Sequence, residues 1–130
     1  MKYLLMMNTM RAGTDGPDWP KTAFQAHVAY MIRLNQELRA SGELADAQGL
    51  AFPDKAKLVR AGAGGEPLTD GVFPASKEFL AGFWIVDVDS LERACAIAAQ
   101  ASAAPGPDGT PLNMPIEVRQ VMSGPPEDLV

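Results

Sequence analysis

The most constraining feature of this sequence is the run from Phe79 to Val88, in which Asp87 is the only charged residue. In an extended chain, alternate side chains point to opposite faces, and here both sets are apolar. One face carries Phe79, Ala81, Phe83 and Ile85, and the other carries Leu80, Gly82, Trp84, Val86 and Val88. A strand with one solvated face alternates apolar with polar residues, so this strand should be covered on both sides.

The rest of the chain predicts four further strands and two helices. The strands are expected at Lys2–Asn8, Leu44–Ala51, Lys55–Ala61 and Ile116–Met122. A helix is expected over Lys21–Ser41, because Pro20 suits a first turn and Gly42 a C-terminal cap. A second helix should start at a capping box of Asp89 and Glu92 and run to about Ala103. A chain of 130 residues has room for one core, so residues 1–122 should form one domain and residues 123–130 a polar tail.

These elements favour the α+β class. Two helices can cover only one face of the sheet, although Phe79–Val88 and Lys2–Asn8 are apolar on both faces. A second copy, packed sheet against sheet about a two-fold axis, is the economical cover for the other face. The sequence therefore predicts a ferredoxin-like split βαβ sandwich with an antiparallel sheet, which forms a homodimer.

Charge and cysteine content exclude several classes of partner. The net charge is −5 and the isoelectric point is near 4.7. No basic stripe is present, so we expect no binding to nucleic acid or to an anionic membrane surface. The apolar run from Tyr3 to Met7 is too short for a membrane span or a signal-peptide core. A single cysteine, Cys95, excludes an internal disulfide and suits a reducing compartment, so the cytoplasm is the expected location.

Helical periodicity predicts which residues face the sheet. On the first helix these are Phe24, His27, Val28, Met31, Asn35 and Leu38. On the second they are Leu91, Ala94, Cys95, Ala98 and Ser102. Cys95 is therefore expected to be buried and unreactive. His27 is the only histidine, and two interpretations are open: a hydrogen-bonded core residue, or a functional imidazole.

The central block, TDGVFPASKEFLAGFWIVDVDSLERA, resembles the signature of the YCII-related, or DGPF-domain, family. That signature has an Asp-Gly-Pro-Phe turn, a Lys-Glu pair, an aromatic strand that contains glycine, and an Asp-Ser-Leu-like helix start. The blocks KYLLMM, ELRASGEL and IEVRQVM are similar to other parts of the family, so the resemblance covers nearly the whole chain. It implies a dimeric α+β barrel.

The resemblance also implies a candidate site. The Asp and Gly of the family's turn correspond to Asp70 and Gly71, and a helix histidine of one branch corresponds to His27. Some branches are thought to be small-molecule enzymes with a His-Asp pair in a cleft, and one is associated with dechlorination of aromatic rings. Many members lie beside sigma-factor genes, which implies a regulatory link. Val72 replaces the usual proline and Ala75 a frequent glutamate, so this turn should be less rigid.

His27 and Asp70 are the candidate catalytic pair. A carboxylate beside an imidazole fixes its tautomer and leaves the other ring nitrogen as an acid or base. Trp19, Phe24 and Phe73 are the expected walls of a substrate-binding cleft. For Trp19 a role as a core plug is favoured over a lid. Asp70 has a structural alternative, since aspartate in an Asp-Gly turn often bonds its own backbone.

Arg119 is the remaining candidate for substrate binding. It shares a strand face with Glu117, and an ion pair at the rim of the dimer is favoured over a role in holding a ligand carboxylate. One histidine, one cysteine and scattered carboxylates give no recognised metal-ligand spacing. The glycine cluster at 62–65 lacks the lysine of a phosphate loop. The sequence therefore predicts neither a metal nor a cofactor.

Three classes of function stay open. The first is a small-molecule enzyme that uses His27 and Asp70 on organic acids or phenolic rings. The second is a non-catalytic ligand-binding or sensory dimer in a regulatory circuit, and the third is a structural dimer that binds another protein. A thermal-shift screen against metabolites is the most informative single experiment, because a ligand bound only by the folded state raises stability.

Overall fold

The computed structural model describes residues 1–10, 19–69 and 78–124 of the chain. Its strands are β1 (Lys2–Met10), β2 (Leu44–Gly49), β3 (Val59–Ala61), β4 (Pro67–Thr69), β5 (Glu78–Asp87) and β6 (Ile116–Gln120). Its helices are α1 (Lys21–Ala40) and α2 (Leu91–Ser102). The predicted turns at residues 70–77 and the tail at 125–130 lie outside the described residues.

Four strands form one sheet in the order β2-β5-β1-β6, and every neighbouring pair is antiparallel. It follows that β1 and β2 are parallel to each other, with β5 between them and α1 as their connection. Likewise β5 and β6 are parallel, with β1 between them and α2 in the connection. These are two interleaved split βαβ units, so the predicted ferredoxin-like α+β fold is confirmed.

The segment between β2 and β5 differs from the sequence prediction. The strand expected over Lys55–Ala61 is only the three-residue β3, because a 3₁₀ turn at Pro53–Lys55 occupies its start. It pairs with β4, which the sequence did not reveal, in a separate two-stranded sheet. The hairpin closes where the Gly62 amide donates to the Glu66 carbonyl over 2.7 Å.

The end of α1 and the start of α2 follow local capping chemistry. Gly42 has a φ of +80°, which suits glycine at the end of α1. The amide after it, from Glu43, donates to the Leu38 carbonyl over 2.9 Å. The predicted cap of α2 is wrong by one residue. Ser90, rather than Asp89, is the N-cap, because its hydroxyl accepts a 3.2 Å bond from the Arg93 amide.

The core lies between the two helices and one face of the sheet. Its buried members are Tyr3, Leu5, Leu34, Leu38, Trp84, Val86, Val88, Ala94, Ile97, Ala98 and Ala101. This result corrects two predicted helix faces. On α1, Phe24 and Val28 are exposed, at 48% and 38%. On α2, Cys95 is exposed and Leu91 is 49% exposed.

The correction on α2 has a steric reason. Leu91 and Ile97 are its only large aliphatic residues, and six positions at about 100° each place them on different sides of the helix. Ile97, in the middle of α2, is 1% exposed, whereas Leu91 begins the first turn. Burying Ile97 rotates the inward face to Ala94, Ile97, Ala98 and Ala101, which turns Cys95 to solvent.

The second face of the sheet has no helix on it among the described residues, and we call it the open face. Its centre holds two antiparallel pairs, Leu4 with Ile85 and Met6 with Phe83, all half-buried. Side chains of β2 and β6 form its edges: Asp46, Gln48, Glu117 and Arg119. The described residues therefore cover only one of the two apolar faces.

A bulge modifies the predicted alternation of the central strand. The pairing of β1 with β5 shifts between Met7 and Asn8, which face Gly82 and Leu80 and leave Ala81 as the extra residue. The extra residue reverses the alternation, so Phe79 and Phe83 lie on opposite faces. This corrects the prediction that they share one, and it agrees with the burial of Phe79.

Candidate functional site

A cavity of about 240 Å³ lies between α1 and the part of the sheet where β2 and β5 pair. The residues that contribute backbone or side-chain atoms to its lining are Met7, His27, Met31, Asn35, Ala47, Gln48, Gly49, Ala81, Gly82, Phe83 and Trp84. From α1 it receives three residues at four-residue spacing, His27, Met31 and Asn35, which share one face of the helix. The predicted histidine thus lies in a concave site on the helix-covered side of the sheet.

Two paired glycines help to form the cavity. Gly49 of β2 lies opposite Gly82 of β5. A Cβ atom on Gly82 would lie 3.0 Å from the Gln48 carbonyl oxygen, so the strands approach too closely there for a side chain without adjustment. A Cβ atom on Gly49 would meet nothing within 4 Å. Space at Gly49 is therefore open, and a side chain added there can enter the cavity.

His27 is fixed by a long-range hydrogen bond. Its Nδ1 lies 3.0 Å from the carbonyl oxygen of Pro105, in the segment that follows α2. A carbonyl oxygen can only accept, so Nδ1 carries the proton and Nε2 of the neutral ring holds a lone pair. His27 is therefore hydrogen-bonded, as one of the two interpretations left open by the sequence predicts, and it also lines a cavity. A functional role for its imidazole stays a prediction.

Two of the predicted cleft residues lie beside His27. The Trp19 ring meets the imidazole edge-on, with centroids 5.3 Å apart, and meets Phe24 at 6.1 Å. Trp19 is half-buried and lies outside the buried core, in contrast to the favoured interpretation as a plug. Neither Trp19 nor Phe24 lines the cavity itself. Trp19 contacts the imidazole from outside the cavity, and Phe24 in turn contacts Trp19.

Sequence reasoning missed a second polar group of the cavity. The Trp84 indole Nε1 donates to Asn35 Oδ1 over 2.9 Å. An indole N–H is only a donor, so this bond orients the Asn35 amide, and its Nδ2 has no acceptor among the described residues. The four-residue spacing of His27, Met31 and Asn35 does indicate that Asn35 shares a helix face with His27. It does not identify Trp84 as the hydrogen-bond partner of Asn35.

The other predicted site residues are elsewhere. Asp70 and Phe73 lie outside the described residues, so the predicted His27–Asp70 pair stays a prediction. Arg119 is on β6 at the edge of the open face, where its Nε is 3.8 Å from Glu117 Oε2. The described structure therefore brings together His27, Trp19 and Phe24, and it places Arg119 on the opposite face of the sheet from the cavity.

The cavity is free of formal charge apart from what His27 can acquire. Of the described residues that line it, none is Lys, Arg, Asp or Glu. No group of three or more His, Cys, Asp or Glu residues in the described ranges could hold a metal ion. A larger hollow of about 360 Å³, near Leu50, Pro53 and Phe79, has Glu78 as its only ionisable lining residue in the described part of the chain.

One bidentate ion pair among the described residues joins two elements of the fold. Arg93 of α2 donates to both carboxylate oxygens of Glu43, over 2.7 and 2.8 Å. These hydrogen bonds, with a further one from Ser41, lower the pKa of Glu43 from 4.5 to about 2. The pair joins the residue before β2 to the start of α2. It lies away from the cavity lining.

Comparison with known proteins identifies one family. The family model described as the YCII-related domain matches residues 1–106 of the chain. That range runs from β1 through α2 and includes every cavity residue and the Pro105 carbonyl, but it ends before β6. No curated protein matches the sequence. Among the described helices, none has the length and apolar character needed to cross a membrane.

Proposed function

This chain belongs to the YCII-related domain family, and within that family we propose that it is a small-molecule enzyme in which His27 is the acid or base. The single observation that carries the proposal is the 3.0 Å bond between His27 Nδ1 and the Pro105 carbonyl. It leaves Nε2 with a free lone pair, on a residue that lines a cavity. A general base needs such an unprotonated nitrogen within reach of a bound molecule.

The chemistry follows from the two ring nitrogens. When Nε2 takes a proton from a bound molecule, the imidazolium that forms keeps its Nδ1–H bond to the Pro105 oxygen, whose partial negative charge stabilises it. The same nitrogen can return the proton as an acid. Met31 and Trp84 line the apolar part of the site.

Asp70 is not required for this mechanism. Nδ1 already donates its hydrogen bond to the Pro105 carbonyl oxygen. A carboxylate of Asp70 that reached the ring would therefore meet Nε2, the nitrogen that we assign to the ligand. The proposal therefore replaces the His-Asp pair with a His–carbonyl pair and leaves the role of Asp70 as a separate prediction.

A cavity-blocking variant tests whether this site binds small molecules. Gly49→Val adds a side chain in open space at the cavity, and Gly124→Val adds the same atoms where a Cβ also meets nothing within 4 Å. In a thermal-shift screen of metabolites, compounds that raise the Tm of the wild type should lose their effect in Gly49→Val and keep it in Gly124→Val. Hits that stabilise both variants equally would place binding outside the cavity.

His27→Gln separates catalysis from binding. Glutamine keeps a hydrogen-bonding side chain but cannot act as an acid or base near neutral pH. Hits from the screen, incubated with the wild type, should yield a product by mass spectrometry, and conversion should fall at least about 100-fold in the variant. Equal conversion by both proteins would contradict a catalytic His27.

A non-catalytic ligand-binding protein is the second candidate. The observation that favours it is the polar pair of Asn35 and Trp84, which orients an amide and supplies no acid or base. For this candidate the hits would bind to the wild type and be recovered unchanged. A regulatory role of the kind implied by sigma-factor neighbours belongs to this second candidate.

We also propose that two protomers associate through the open face. Leu4, Met6, Phe83 and Ile85 form an apolar centre between polar edges, which is the composition of an interface core with a rim. Light scattering at micromolar concentration should give a dimer for the wild type and a monomer for Ile85→Lys. Ile32→Lys is the matched control, since Ile32 is 52% exposed on α1, and it should stay dimeric.

Two finer assignments complete the proposal. The DGPF-type turn is represented by Asp70 and Gly71, with Val72 in place of proline. Location in the cytoplasm is supported by the single cysteine, Cys95, which is exposed and would be open to oxidation in an oxidising compartment.

A further inference from the structure

The lining of the cavity restricts the class of its ligand. Among the described lining residues, only His27 has an ionisable side chain. Transfer of a carboxylate or an ammonium group into such a site is costly without a fixed partner of opposite charge. A neutral molecule avoids that cost, and this distinguishes between the organic acids and the hydroxyl compounds that the sequence left open.

The volume restricts the size. A cavity of about 150 Å³ can hold benzene, and sites for drug-sized ligands begin at about 300 Å³. At about 240 Å³ this cavity suits one substituted ring or a chain of similar bulk. Met7, Met31 and Trp84 supply polarisable contacts, and thioethers pack favourably against the edges of rings.

The two polar groups of the cavity lie at opposite ends of one helix face. His27 and Asn35 are eight residues apart in α1, which corresponds to about 12 Å along its axis. His27 Nε2 can accept a hydrogen bond, and Asn35 Nδ2 can donate one. For two side chains that extend equally from the helix, two hydrogen bonds of about 2.9 Å leave about 6 Å between the polar atoms of a ligand that meets both.

We propose that the cavity selects a neutral ligand with a hydroxyl donor at the His27 end and a carbonyl-type acceptor at the Asn35 end, about 6 Å apart across an apolar body. The inference rests on the proposed function, because it uses the same cavity and the same His27 lone pair. It adds the charge, the length and the polarity of the ligand. Catalysis by His27 is not needed for it to hold.

Four probes of similar size test each part of the inference. 4-Hydroxyacetophenone carries both polar groups at the required separation. 4-Methylacetophenone lacks the donor, 4-ethylphenol lacks the acceptor, and 4-hydroxybenzoate replaces the neutral acceptor with an anion. Dissociation constants would be measured by NMR titration with the wild type, Gly49→Val and Gly124→Val.

The expected result is a rank order. 4-Hydroxyacetophenone should bind at least about tenfold more tightly than each of the other three, because each lost partner leaves a polar group of the site unpaired or buries a charge. Gly49→Val should abolish that binding and Gly124→Val should preserve it. Asn35→Leu should lower the affinity for 4-hydroxyacetophenone to that for 4-ethylphenol and leave the latter unchanged.

Other outcomes would overturn the inference in distinguishable ways. Tighter binding of 4-hydroxybenzoate that is lost in Gly49→Val would reject a neutral ligand while keeping the cavity as the site. Equal affinity for 4-methylacetophenone would reject the donor at His27. If no probe shows binding that Gly49→Val removes, both the ligand class and the proposed small-molecule site fail. Circular dichroism of the Asn35→Leu variant verifies that it is folded. Gly49→Val tests binding in the cavity independently of the Asn35→Leu variant.

Discussion

The two faces of the central sheet are similar in sequence and different in structure. Leu5 and Val86, on the helix-covered face, are fully buried, whereas their chain neighbours Leu4 and Ile85, on the open face, are half-buried. The covered face holds the core and the cavity, and the open face carries the apolar surface that we propose as a dimer interface. Apolar residues of one strand thus serve folding on one side and, in the proposed dimer, association on the other.

The sharpest test of this contrast is a pair of adjacent leucines. Leu5→Ala should lower the free energy of unfolding by about 2–5 kcal/mol, because it leaves a cavity in the packed core. Leu4→Ala should cost less than about 1 kcal/mol at low protein concentration, and more as association covers the open face. Urea unfolding at two protein concentrations measures both. Equal costs at low concentration would remove the distinction between the faces.

A polar contact on the covered face should matter less than its apolar packing. Trp84→Phe removes the indole donor to Asn35 and part of a buried ring, so we expect a loss of about 1–2 kcal/mol in unfolding free energy. Phe83→Leu, a substitution of similar size on the open face, is the comparison variant. A Trp84→Phe variant as stable as the wild type would show that the Asn35 bond is not formed.

The ion pair beside the covered face gives a pH-dependent prediction. The pKa of Glu43 is lowered to about 2 by hydrogen bonds from Arg93, so its contribution is present above the usual value of 4.5 and is lost as pH falls from there towards 2. Since both side chains are partly exposed, at 19% and 43%, we expect Glu43→Gln to cost only about 1 kcal/mol at pH 7. The difference between wild type and variant should shrink below pH 4.5. A constant difference down to pH 2 would contradict the assignment.

The smallest effect is expected at Cys95. Because Cys95 is exposed, Cys95→Ser should change the unfolding free energy by less than about 0.5 kcal/mol. Ala94→Ser, one residue earlier at a fully buried position, should cost more, since it buries a hydroxyl. A thiol reagent should label Cys95 in native buffer without prior unfolding. Labelling that requires denaturant would restore the original prediction of a buried thiol.

Parts of the site were accessible from the sequence and others were not. Helical spacing placed His27, Met31 and Asn35 on one face, and the structure keeps all three at the cavity. The Pro105 carbonyl could not be predicted, since it is 78 residues from His27 and a backbone oxygen leaves no mark in residue type. The predicted partner Asp70 lies outside the described residues.

The sequence by itself determined the fold class, because periods of 2 and 3.6 residues and the capping residues are local properties of the chain. Tertiary structure decided the rest. Which face of the sheet the helices cover depends on contacts between distant elements, and so does the rotation of α2 that buries Ile97 and exposes Cys95. The cavity likewise lies where Gly49 and Gly82 meet across two strands under α1, a juxtaposition that no local pattern contains.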